Sequence, residues 1–179
     1  MAAGTGAAGA TVSAQGFGRP VPLPPDTALP GNAFRVDAER PLTPQGRERF
    51  ALAVMGLQRL GVRLDRLYHS PWLRAVETAA LLSPVLDGEA VSSAALARPP
   101  SQALLQEIVG ARVALVGHQP WLGELLTWLL AGSQSHDSAF AFKRGGVAWL
   151  EGRPKPGRMA LRAFLPPKVL RELGGAASP

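Results

Sequence analysis

The run Val113-Ala-Leu-Val-Gly117, followed at once by His118-Gln119-Pro120 and then by Leu122, Leu125, Leu126 and Leu129, is the feature that most restricts what this chain can become. An apolar run bounded by polar residues describes a strand covered on both faces, and such strands lie in the middle of parallel sheets. Pro120 suits the first turn of a helix, the four leucines recur at helical spacing, and Gly132 suits the helix end. A second unit repeats the design. Leu64 to His69 reads as a short buried strand, Ser70-Pro71 as the start of a helix, and Leu73, Val76, Ala80 and Leu81 as its apolar stripe. Strands alternating with helices predict an α/β fold.

The remaining elements fit that class. Thr43-Pro44 reads as an N-cap and first helical residue, with Phe50, Val54, Leu57 and Leu60 facing inward and Gly61 closing the helix. A helix is expected from Ser101 to Val109. Strands are expected from Gly146 to Glu151 and from Met159 to Phe164, joined through Arg153-Pro-Lys-Pro-Gly157. Residues 1–33 are rich in Ala, Gly and Pro and read as disordered or aberrant, residues 34–170 as one domain, and residues 171–179 as a flexible tail. Gly4, Gly6 and Gly9 spell a dinucleotide-binding pattern, but without a preceding strand and a following helix that reading fails.

A chain of 179 residues suffices for one core without a disulfide or metal staple. It contains no cysteine, which excludes thiolate nucleophiles and cysteine-ligated metal sites. The three histidines, His69, His118 and His136, stand at no metal-ligating spacing, so neither a metal nor another cofactor is expected. No apolar run approaches the roughly 20 residues of a membrane span, and no secretory signal pattern opens the chain; a soluble cytoplasmic protein without membrane association is the expectation. Of nineteen basic residues three are lysines, so sixteen are arginines; they are scattered, and a net charge of +6 spread this way predicts no specific nucleic-acid partner.

Both strand-to-helix junctions, Tyr68-His-Ser-Pro-Trp-Leu-Arg74 and Val116-Gly-His118-Gln-Pro-Trp, place polar side chains beyond the C-terminal end of a strand, where open α/β sheets bind ligands. Each also offers a helix N-terminus, which favours an anion. With the fork of Arg74 and the imidazole of His118 added, the ligand class this predicts is a phosphoryl group. Trp72 and Trp121 either wall that pocket or pack on the sheet. His136 falls in a polar loop, and His69 is expected to point away from the pocket.

The blocks Arg40-Pro-Leu-Thr-Pro-Gln-Gly46, Ser70-Pro-Trp-Leu-Arg74-Ala-Val-Glu-Thr78-Ala, Gly117-His118-Gln-Pro120, and Phe142-Lys-Arg-Gly145 through Glu151 resemble, in this order and at these separations, the successive motifs of SixA-type phosphohistidine phosphatases of the histidine phosphatase superfamily. The resemblance covers residues 34–165. It implies a phosphoglycerate mutase-like three-layer sandwich, with a mostly parallel central sheet flanked by helices. It also implies a metal-free reaction in which one histidine attacks phosphorus, two arginines and a second histidine stabilise the equatorial oxygens, and water releases phosphate. By this likeness Arg74 is the second clamping arginine, His118 the second histidine, and Arg40 and Ser70 secondary phosphate contacts. The implied substrate is a phosphorylated small molecule or a protein phosphohistidine.

The chain departs from the family at its start. The family opens with a strand leading into Arg-His-Gly or Arg-His-Ala, which supplies the nucleophile and the first arginine, whereas no histidine precedes His69 here. The first strand is therefore expected to be lost or replaced. Two accounts follow. Either a reading-frame or start error has replaced the true strand of an active phosphatase, or the chain is a degenerate member that binds phosphate without turnover. The first is favoured because losing a central strand strips partners from neighbouring ladders.

Overall fold

A computed structural model describes residues 37–133, 140 and 142–175, and the backbone of residues 8–13. His136 lies outside these. Strand β1 (Ala8–Ser13) is followed by α1 (Pro44–Arg59), β2 (Leu64–His69), α2 (Leu73–Leu81), β3 (Leu86–Ser92), α3 (Gln102–Glu107), β4 (Arg112–Gly117), α4 (Trp121–Ala131), β5 (Val147–Gly152), β6 (Met159–Leu165) and α5 (Pro167–Gly175). The sheet order is β3-β2-β4-β1-β5-β6. The first four of these neighbours pair parallel, and β5 and β6 join antiparallel.

Two cores sandwich the sheet. On one face Val54, Leu57, Leu67, Ala75, Val116 and Leu170 bring α1, α2 and α5 onto the strands. On the other, Leu104, Leu115, Leu122, Leu125, Leu126 and Leu150 do the same for α3 and α4. The three-layer α/β sandwich read from the sequence is the architecture found.

Local signals explain several elements. Thr43 is extended, its Oγ1 accepts from Gly46 N–H at 3.1 Å, and Pro44 sits in the first turn of α1. Helix α4 buries Leu122, Leu125, Leu126 and Leu129 and ends at Gly132, whose φ of 79° only glycine adopts without strain.

Three expectations need correction, and one strand had no expectation. Residues 1–33 are not disordered throughout, because Ala8–Ser13 forms a central strand between β4 and β5. The seat of the expected lost strand is filled, and the reason is main-chain: both flanking strands present N–H and C=O groups that need partners, and a segment without an apolar run supplies them equally well. In α2 the expected apolar stripe is turned outward at Leu73 and Val76, 39% and 38% exposed, and only Leu81 of it packs on the core, while Arg74, Ala75, Thr78 and Ala79 face in. Small residues let this helix lie close to the sheet, and the Thr78 hydroxyl donates to the Arg74 carbonyl at 2.7 Å. Strand β3 has no sequence reading because it is a polar edge strand; Arg66 and Glu89 pair across it from opposed positions. The chain from residue 171 is not all tail, since α5 continues to Gly175 and buries Leu170 and Gly174.

Helices α1 and α5 meet backbone to backbone. A Cβ at Gly56 would lie 2.1 Å from the Leu170 carbonyl oxygen, and one at Gly174 would lie 1.9 Å from that of Leu52. Neither obstacle is a side chain that can rotate away. Gly56→Ala should therefore force the helices apart and destabilise the fold by about 1–3 kcal/mol in urea denaturation, despite alanine's better helix propensity.

Candidate active site

Strands β2 and β4 run side by side and end level, with His69 opposite Val116. The next residues, Ser70 and His118, thus emerge together at the C-terminal edge of the sheet. Both are buried, Ser70 fully and His118 to within 1% exposure. His118 Nε2 and Ser70 Oγ are 2.8 Å apart, and Ser70 Oγ also accepts from Trp72 N–H at 3.2 Å. The hydroxyl's other hydrogen bond is one it accepts, so among the described residues Nε2 is the acceptor left for its own proton. In a neutral imidazole the other nitrogen then carries the hydrogen.

That nitrogen, His118 Nδ1, is buried without a protein partner among the described residues, and so is Nε2 of neighbouring Gln119. Orphaned buried donors are uncommon, and two adjacent ones at a strand end suit an anionic ligand.

Arg74 reaches the same place from the first turn of α2. Its guanidinium carbon stands 4.6 Å from the centre of the Trp72 ring, and that ring lies 4.3 Å from the imidazole of His118. Trp121 closes the other side, edge-on to both rings. Both tryptophans therefore wall the site. The guanidinium donates to the Asp37 carbonyl at 2.6 Å and to Asp37 Oδ2 at 3.0 Å.

Burial pushes His118 down from the ordinary 6.5 to about 3; the positive charge of Arg74 adds to this, and Asp37 opposes it. The imidazole is neutral at pH 7, able to donate one hydrogen bond without carrying charge.

The structure thus brings together Arg74, His118 and Ser70 at one sheet edge. The Ser70 hydroxyl engages Trp72 and His118, so it orients the imidazole. Arg40 lies farther out: its side chain is 47% exposed and donates to Asp37 Oδ1 at 3.3 Å. His69 turns back on its own chain, with Nδ1 2.9 Å from the Ser70 carbonyl oxygen. Two contributors escaped the sequence reading. Asp37 stands three residues before Arg40. Glu77, within the quoted Arg74 block, accepts from Leu42 N–H at 2.6 Å and from Arg47 at 2.8 Å, fastening the Arg40 block to α2. Among the described residues no group of three His, Cys, Asp or Glu side chains is arranged to hold a metal ion.

Known proteins share this fold. Residues 31–98 match the family profile of the histidine phosphatase superfamily (branch 1). An uncharacterized protein of Picosynechococcus sp. is 33% identical over 125 residues, covering 65% of this chain and 74% of that protein. Among solved structures, the protein histidine phosphatase SixA complexed with tungstate superposes with a TM-score of 0.66 at 22% identity, covering 91% of this chain and 99% of that one. Phosphoserine phosphatase of Entamoeba histolytica, in complex with 3-phosphoglyceric acid, gives 0.61 at 14% identity, covering 91% and 98%. These likenesses establish a shared fold.

The His118 shift fixes a sign for stability. Between about 6.5 and about 3 the unfolded imidazole binds a proton that the folded one refuses, so stability is present above 6.5 and is lost as pH falls through this window. Urea denaturation across pH 7 to 4 should show a loss of at most about 1.4 kcal/mol per pH unit from this group, and His118→Gln should flatten that portion of the profile.

Proposed function

We propose that this chain, which belongs to the histidine phosphatase superfamily, carries a SixA-type site for a phosphorylated small molecule or a protein phosphohistidine, and that Arg74 and His118 form its phosphoryl-binding half. The observation that carries this reading is the Trp72–Ser70–His118 relay, which leaves a buried Nδ1–H without an acceptor among the described residues, beside a buried arginine. Such groups act where charge develops on transferring phosphoryl oxygens. The arginine supplies positive charge, the imidazole N–H a fixed hydrogen bond, and Ser70 keeps that N–H in place. The reading carries a cytoplasmic site of action and no cofactor with it. Nor does the basic charge favour nucleic acid, because Arg47, Arg63, Arg66, Arg112 and Arg162 each pair with a carboxylate.

A second reading, phosphate binding without turnover, is favoured by one observation: no histidine precedes His69 in the sequence, and His69 is tied to the Ser70 carbonyl. In β1, Ser13 pairs with Gly117, so the strand ends level with the one that delivers His118. A nucleophile of the family's kind would follow that end.

Both readings are tested together. The chain as it stands should bind orthovanadate, and Arg74→Ala and His118→Ala should each weaken binding by about 10-fold or more, as for loss of a charge-assisted hydrogen bond. Ser13→Arg with Ala14→His, which restores the family's residue types after β1, should add turnover of a phosphorylated histidine peptide. Turnover by the unaltered chain would assign the nucleophile to another residue, and vanadate binding indifferent to both alanine substitutions would remove the site.

A further inference from the structure

The two arginines that the sequence assigns to phosphate hold the same carboxylate. Asp37 Oδ2 and the Asp37 carbonyl take two donors of Arg74, at 3.0 and 2.6 Å, and Oδ1 takes one from Arg40 at 3.3 Å. A carboxylate and two phosphoryl oxygens present the same pair of acceptors to a guanidinium fork, so the N–H groups that hold one are withheld from the other. The two residues differ in their surroundings. The Arg74 side chain is only 9% exposed and requires a counter-charge, whereas that of Asp37 is 40% exposed and can turn into water.

We infer that Asp37 is a resident ligand of the phosphoryl seat, an internal anion that keeps Arg74 neutralised until an incoming phosphoryl group displaces it. The exchange suits both partners. Arg74 passes from one anion to another without being left unpaired in a buried place, and the Asp37 carboxylate recovers its hydration. Being tethered, Asp37 competes at high effective concentration, so weakly held anions are kept out. The charge of Asp37 also reaches the His118 imidazole, where it opposes that of Arg74; displacement would alter both phosphoryl-binding groups together. This inference rests on the phosphoryl-binding reading given above.

The test is a titration of the full chain with orthophosphate and with tungstate, followed through the fluorescence of the wall residues Trp72 and Trp121 or by calorimetry. Asp37→Asn and Asp37→Ala should each bind both anions about 3- to 10-fold more tightly than the parent, by a similar factor for the two because the same competitor is removed. Glu39→Gln, which removes an equal charge two residues away, should leave affinity within about 2-fold. Unchanged or weaker binding in both Asp37 variants would overturn the inference, as would an equal gain in Glu39→Gln, which would reveal a general field effect. Asparagine retains an acceptor for Arg74, so it keeps the test alive if the alanine variant fails to fold, and thermal melting monitors this. Arg74→Ala and His118→Ala in the same titration separate the two claims. If they lose binding while the Asp37 variants gain none, only the resident-ligand inference falls; if they bind like the parent, the phosphoryl seat falls with it.

Discussion

A single hydrogen bond, Ser70 Oγ to His118 Nε2 at 2.8 Å, joins the ends of two parallel strands, and the character of the site depends on it. It is possible because β2 and β4 pair in parallel up to their C-terminal ends, where His69 lies opposite Val116. With Nε2 accepting from the Ser70 hydroxyl, Nδ1 is the nitrogen left to donate, and the buried, neutral histidine becomes a donor of fixed direction. Arg74 then needs only to be held nearby, and Trp72, against which both guanidinium and imidazole rest, helps to do this. Packing precedes chemistry here: a histidine pushed to about 3 by burial could not serve as a cation, but it serves well as an oriented dipole.

Legibility in the sequence followed the physical origin of each element. Strand β4 and helix α4 could be read because hydrophobic burial on both faces of a strand and one stripe of a helix leaves a periodic trace in residue type. Strands β1 and β3 could not. The first is held by ladders on both sides, a main-chain requirement that leaves little mark on side chains; the second is an edge whose charges resemble a loop. Helix α2 misled for a third reason. Its outward leucine and valine mimic a buried stripe, while its true inner face carries an arginine and a threonine that serve the site. Arg74 and His118 were legible as a pair through motif spacing, and Ser70 was found without its role. Asp37 was not found, because an aspartate in a polar stretch has no distinguishing sequence signal until a buried arginine turns toward it.

Family membership and residue content pull in different directions, and the structure shows how they coexist. The fold is carried by strands β2 and β4, by the close meeting of α1 with α5, and by the Glu77 contacts that fasten the Arg40 block to α2. None of these involves the residues that follow β1. The backbone of Ala8–Ser13 completes the ladders on both sides, so the scaffold that holds Arg74 and His118 persists in a chain with no histidine before His69.

The outer strand β3 has a consequence of another kind. Its backbone is open to solvent on one side, and what stands beside that opening is a lattice of charge: Arg63 with Asp87, Arg66 with Glu89, and Arg112 between Asp65 and Asp87. Such charges discourage a second molecule from adding its own strand to the row. Ions in solution weaken exposed charges of this type more than they weaken buried contacts. For this sheet, then, the ionic strength of the surroundings sets how strongly these charges keep the molecule from joining edge to edge with its own copies.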